Sequence, residues 1–111
     1  MSQNTFSIYQ LKYGDKAYYM KHRNYYNMPY HFLEKFGLSV KASNYEFVYK
    51  AKLSDGTSLE DIFERFNLHH PADYKGRSLS VSDVVVLHKN GKDKAYYVDS
   101  YGFTDVPEFL A

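Results

Sequence analysis

Cysteine and tryptophan are both missing from this chain of 111 residues. Without cysteine there is no disulfide, no thiolate nucleophile and no Cys-based zinc site. An excess of charge of one sign is also lacking. Fourteen basic residues against 13 acidic ones leave a net charge of +1, far from the strongly basic balance of an electrostatic nucleic-acid binder. Long apolar runs are absent too: the longest, Val84 to Leu87, is far too short to span a membrane. The opening MSQNTFSIYQ has no charged stretch followed by an apolar one, so no cleaved leader is expected and the default address is cytoplasmic.

What the chain has instead is tyrosine, with 13 Tyr and 8 Phe making 19% aromatic residues. Tyrosine pairs a large apolar ring with a polar tip, so it serves half-covered sheets and binding surfaces alike. At this length one domain can bury a core without metal or disulfide help, and a single domain over residues 1–111 is expected.

The pattern predicts α+β architecture. Thr5 to Tyr13 is β-rich with apolar groups on both faces, as in a strand inside a sheet. Pro29 to Phe36 reads as a short helix closed by Gly37, with Phe32, Leu33 and Phe36 sharing a face. Asn44 to Leu53 alternates, setting Tyr45, Phe47, Tyr49, Ala51 and Leu53 on one face. Thr57 to Asn67 reads as a helix. Thr57 and Glu60 form a capping box, and Leu59, Ile62, Phe63 and Phe66 form an apolar stripe. His69-His70-Pro71 stops it. Asn90-Gly91 between two β-rich runs favours a type I′ hairpin that sets His88 opposite Asp93, Val86 opposite Ala95 and Val84 opposite Tyr97. This register also opposes Lys89 and Lys92, a mild like-charge cost, and a longer loop through Asp93 is the alternative. Val106, Phe109 and Leu110 are expected to tuck onto the core. The expected fold is thus a mainly antiparallel sheet of four to five strands with two helices packed on one face.

Chemical motifs are sparse. The histidines (His22, His31, His69, His70, His88) show no recognised metal spacing, and no metal or other cofactor is expected. Ser78, Ser80 and Ser82 lie outside any G-x-S-x-G elbow. Asp83 and Asp99 could flank one hairpin mouth as an acid/base couple, and with His70 they make a small hydrolase the third reading. Tyr74 to Ser78, with Lys75 and Arg77, offers a weak anion grip. The richest segment is Ala17 to Tyr30, which has no clean period. There Tyr18, Tyr19, Tyr25 and Tyr26 surround Lys21, His22 and Arg23, the seven candidate partner-binding residues. Such a mixture suits a protein hot spot or base stacking with phosphate contacts, and equally a Tyr-rich strand or loop packed over the sheet.

From Asn44 onward the chain resembles a known family. Asn44-Tyr45-Glu46 with Val48-Tyr49, Leu59-Glu60-Asp61-Ile62, Phe66-Asn67, His70-Pro71, Ser78 to Val85, and Tyr97-Val98-Asp99 with Gly102-Phe103 are similar to the YodL-like domain of bacterial mobile genetic elements. The resemblance implies binding rather than catalysis. A relative is associated with inhibiting the actin-like cell-shape machinery, and small proteins of mobile elements are often counter-defence factors of the anti-CRISPR type. The expectation is a non-enzymatic inhibitor or adaptor whose partner is a bacterial protein, such as a CRISPR nuclease or a cytoskeletal protein. The alternative is binding of single-stranded or guide RNA.

Overall fold

The computed structural model describes residues 4–111; the first three residues of the expected domain lie outside it. Its centre is a five-stranded antiparallel sheet. The strands are β1 (Thr5–Leu11), β2 (Tyr45–Lys52), β3 (Val84–Lys89), β4 (Lys92–Val98) and β5 (Phe103–Asp105), ordered β2-β1-β3-β4-β5. The apolar run Val84 to Leu87 takes the middle position, where both faces are covered and alternation is unnecessary. The β3–β4 hairpin has the register expected from Asn90-Gly91: Val84–Tyr97, Val86–Ala95, His88–Asp93 and Lys89–Lys92 are opposed. Both turn residues are left-handed, with φ 55° at Asn90 and 76° at Gly91, as a type I′ turn requires.

Three helices accompany the sheet: α1 (Lys16–His22), α2 (Tyr30–Lys35) and α3 (Leu59–Leu68). The α+β class stands, but the helices are not gathered on one face. Helix α3 buries Ile62 and Phe66 against Phe6, Ile8, Val85 and Val98. Leu33 of α2 and the tail residues Val106 and Phe109 lie on the opposite face, with Leu11, Val84, Val86 and Tyr97. The physical reason is the central strands, whose successive apolar side chains alternate between faces and need cover on both. Leu110 remains exposed while Val106 and Phe109 are buried. In α2 only Leu33 is buried; Phe32 and Phe36 stack on each other outside, centroids 6.2 Å apart.

Two local expectations are corrected. The α3 capping box is Ser58 with Asp61 rather than Thr57 with Glu60. Ser58 Oγ accepts from the Asp61 N–H at 3.1 Å, and Asp61 Oδ2 accepts from the Ser58 N–H at 2.9 Å. In β2 the single apolar face is broken by a bulge: Ile8 pairs with Tyr49 but Tyr9 pairs with Phe47, leaving Val48 as the extra residue. Tyr49 and Ala51 therefore pack on the α3 face, whereas Tyr45 joins the other and Phe47 is 57% exposed. Among the described residues no helix is long and apolar enough to cross a membrane.

Candidate partner-binding face

The segment without a clean period is helical. Asp15 caps α1 by accepting from the Tyr18 N–H at 2.8 Å, and a 3-10 turn over Arg23–Tyr25 follows. The helix has no buried residue, so it carries none of the apolar stripe by which a helix is read from sequence. It is held instead by aromatic stacking. The Tyr26 ring, 9% exposed, stacks on Tyr13 at 4.8 Å and Tyr19 at 5.0 Å, and Tyr13 and Tyr19 lie 6.2 Å apart. The Tyr26 hydroxyl donates to the Lys12 carbonyl, and burial first, with the neighbouring tyrosines, raises its pKa.

The seven candidate residues thus divide into base and surface. Tyr26 is the buried base of the stack, and Tyr25 packs partly onto the core. Tyr18 and His22 form a pair of their own, rings 4.0 Å apart, with the His22 ring nitrogen Nδ1 2.9 Å from the Tyr18 carbonyl. Tyr19, Lys21 and Arg23 are exposed. Two further surface members lie outside the segment: Tyr13 at 42% exposure and Arg77, whose guanidinium carbon sits 4.1 Å over the Tyr13 ring. Met20, 48% exposed, borders them. Between Lys12 and Asn27 there are four basic residues and one acid, Asp15, and Arg77 adds a fifth cation. Arg77 of the anion grip therefore belongs to the surface of the tyrosine segment. Sequence offered no signal for this, because 64 positions separate Tyr13 from Arg77.

Arg77 is held from inside. Gln10, 1% exposed, accepts from the Arg77 N–H at 3.1 Å, and its amide nitrogen donates to the Arg77 carbonyl at 2.9 Å and to Asp83 Oδ2 at 3.1 Å. Tyr74 donates its hydroxyl to the same carbonyl at 2.6 Å. The guanidinium itself donates to the Leu11 carbonyl at 3.2 Å. Gly76 fits because it has no side chain: a Cβ there would stand 2.4 Å from Val48 Cγ1 and 2.9 Å from Gln10 Oε1.

Other candidate chemistry does not assemble. Asp83 is bound by Gln10 and Ser80 on the α3 side of the sheet. Asp99 turns to the other side, accepting from Tyr30 N–H, Ser100 N–H and the Thr104 hydroxyl. The two carboxylates face apart, so the acid/base couple between them does not form. Asp99 instead caps the first turn of α2. Burial works against its charge, but the bonds from Thr104, Ser100 and Tyr30 outweigh it and lower its pKa. Ser78 Oγ lies 3.2 Å from His70 Nε2 on the surface.

A Ser–His–Asp alignment does occur elsewhere: Ser7 Oγ is 2.9 Å from His88 Nε2, and His88 Nδ1 is 2.7 Å from Asp93 Oδ1. Ser7 sits in mid-strand with β2 on one side and β3 on the other, 2% exposed. A nucleophile must reach its substrate, and a side chain 2% exposed in a strand paired on both sides does not. The alignment clasps β1, β3 and β4. Among the described residues no three His, Asp or Glu side chains converge as a metal site.

A family model described as YodL-like domain matches residues 5–109. Neither the curated proteins nor the solved structures contain a match. The match runs from the first residue of β1 to the buried Phe109 of the tail, and so covers the whole sheet and all three helices. The chain belongs to the family of YodL-like domains.

Proposed function

We propose that this protein is a non-enzymatic inhibitor or adaptor, carried by a mobile genetic element, that acts by binding a bacterial protein through the face built from Tyr13, Tyr19, Met20, Lys21, Arg23 and Arg77. The observation that carries this reading is the pair of exposed rings, Tyr13 and Tyr19, stacked on buried Tyr26, with the Arg77 guanidinium over Tyr13. Tyrosine and arginine dominate protein–protein hot spots because rigid rings bury large area at low entropic cost. A preformed stack has already lost that freedom, so docking costs less. A counter-defence target such as a CRISPR nuclease, or a cytoskeletal protein, fits this mode of action.

The test is affinity capture from a bacterial host lysate, with and without nuclease treatment. One protein should be retained after nuclease treatment. The Tyr13→Ala/Tyr19→Ala double variant, folded by circular dichroism, should lose capture by roughly tenfold or more, as two hot-spot truncations would. A second reading, single-stranded nucleic acid, draws on the excess of cations around the stack. Recovery of nucleic acid alone, with binding that falls steeply as salt rises, would overturn the protein reading in its favour.

A further inference from the structure

Strand β2 ends the sheet, and among the described residues no strand lies beyond it. The ladder shows which of its backbone groups point outward. Leu53 N–H donates to the Asn4 carbonyl at 2.9 Å and Lys12 N–H to the Asn44 carbonyl at 3.0 Å. Successive residues of an antiparallel strand bond to opposite sides, so even-numbered β1 residues face β2. Phe6–Ala51 and Ile8–Tyr49 are then the bonded pairs, and the N–H and C=O of Lys50 and Lys52 point away from the sheet. The bulge at Val48 confines this regular free edge to Tyr49 through Lys52.

Alongside the edge runs a groove of about 770 Å³ between β2 and α3, floored by Tyr49, Ala51, Ile62 and Phe66. A strand added to β2 would alternate its side chains between this groove and the opposite face, where Lys50 and Lys52 project, both exposed. Lys52 also borders the groove, and Arg65 lines it as a further cation. Of the two acids there, Asp61 is bound to the Ser58 amide, leaving Glu64.

We propose that β2 accepts an extended segment of a partner protein as a sixth strand, its side chains alternating apolar and acidic. The apolar ones enter the groove against Ala51 and Ile62, and the acidic ones lie over Lys50 and Lys52. Main-chain bonds supply affinity in this mode and alternate side chains supply selectivity. A second copy of this chain is disfavoured, because antiparallel β2–β2 pairing centred on Ala51 would set lysine against lysine.

The experiment uses the whole protein labelled with nitrogen-15 and a seven-residue capped peptide of alternating valine and glutamate. Binding should shift the Lys50 and Lys52 amide resonances and slow their hydrogen exchange. N-methylation of the peptide amides that would face β2 should weaken binding roughly tenfold or more, the effect of losing two backbone bonds. The Lys50→Glu/Lys52→Glu variant should prefer the valine–lysine peptide. Absence of binding, equal binding of the N-methylated peptide, shifts confined to Tyr13 and Tyr19, or β2-mediated self-association would each overturn the proposal. Because this surface is distinct from the tyrosine stack, the outcome leaves the proposed function to its own test.

Discussion

Asp83 is 3% exposed, and both of its hydrogen bonds, from Gln10 Nε2 and the Ser80 N–H, fall on one oxygen. Burial pushes its pKa up to about 7, with the Ser80 and Gln10 bonds and the Arg77 charge pulling against it. The folded state therefore holds this proton more tightly than the unfolded chain, so the contribution of Asp83 to stability is greatest at low pH. It is lost as pH rises from 3.8 to about 7. Asp99 acts in the opposite direction, since its lowered pKa costs stability only as pH falls through the acid range. Thermal melts should thus decline across the Asp83 window by an amount of about 1–4 kcal/mol, and Asp83→Asn should flatten that slope. The same network predicts the effect of Gly76→Ala. The added methyl meets Val48, Tyr74 and Gln10 at once, so the loop must lift. The cost should be about 1–3 kcal/mol in urea unfolding, and release of Arg77 from the Tyr13 ring should weaken partner capture.

At the scale of elements, the cap of α3 gives a sharp contrast. Thr57-x-x-Glu60 and Ser58-x-x-Asp61 are both capping boxes on paper, one residue out of phase. The structure uses the second, so Ser58→Ala should cost about 1 kcal/mol and Thr57→Ala close to nothing in chemical denaturation. Sequence reads an element well when its signal is local. Of the two hairpin registers the sequence left open, the structure forms the one set by the two-residue Asn90-Gly91 turn, and α3 was legible through its stripe. What could not be read depends on distant residues. The bulge in β2 lies at Val48, which packs beside Gly76, 28 positions away, with no room for a Cβ between them, and beyond it Tyr49 lies on the α3 face. Helix α1 escaped because none of its residues is buried, and periodicity records burial. Its tyrosines were recognisable as a candidate surface, but their division into buried base and exposed rings is set by Tyr13 and Arg77, which lie outside the segment.

Across the whole molecule, one sheet separates two apolar layers, and each layer depends on a different closing element. Helix α3 closes one with Phe66, whose ring meets Phe6 at 5.7 Å and Tyr74 at 5.0 Å. The tail closes the other with Phe109, set edge-on to Tyr9 at 5.1 Å and Tyr45 at 5.4 Å and anchored where the Val106 N–H meets the Ala95 carbonyl. Both layers share β1 and β3, whose alternate side chains feed each in turn, so neither can open without uncovering strands that the other needs. Phe66→Ala and Phe109→Ala should therefore each cost about 3–5 kcal/mol, while Leu110→Ala, at a position 44% exposed, should change little. For a domain whose total stability is of order 5–15 kcal/mol, either phenylalanine loss approaches the unfolding limit. Urea unfolding of both variants, followed by near-ultraviolet tyrosine signals and by far-ultraviolet helicity, should give coincident transitions. A tail variant that lost its tyrosine signal while α3 stayed folded would show that the two layers fold as separate units, and that the shared strands do not couple them.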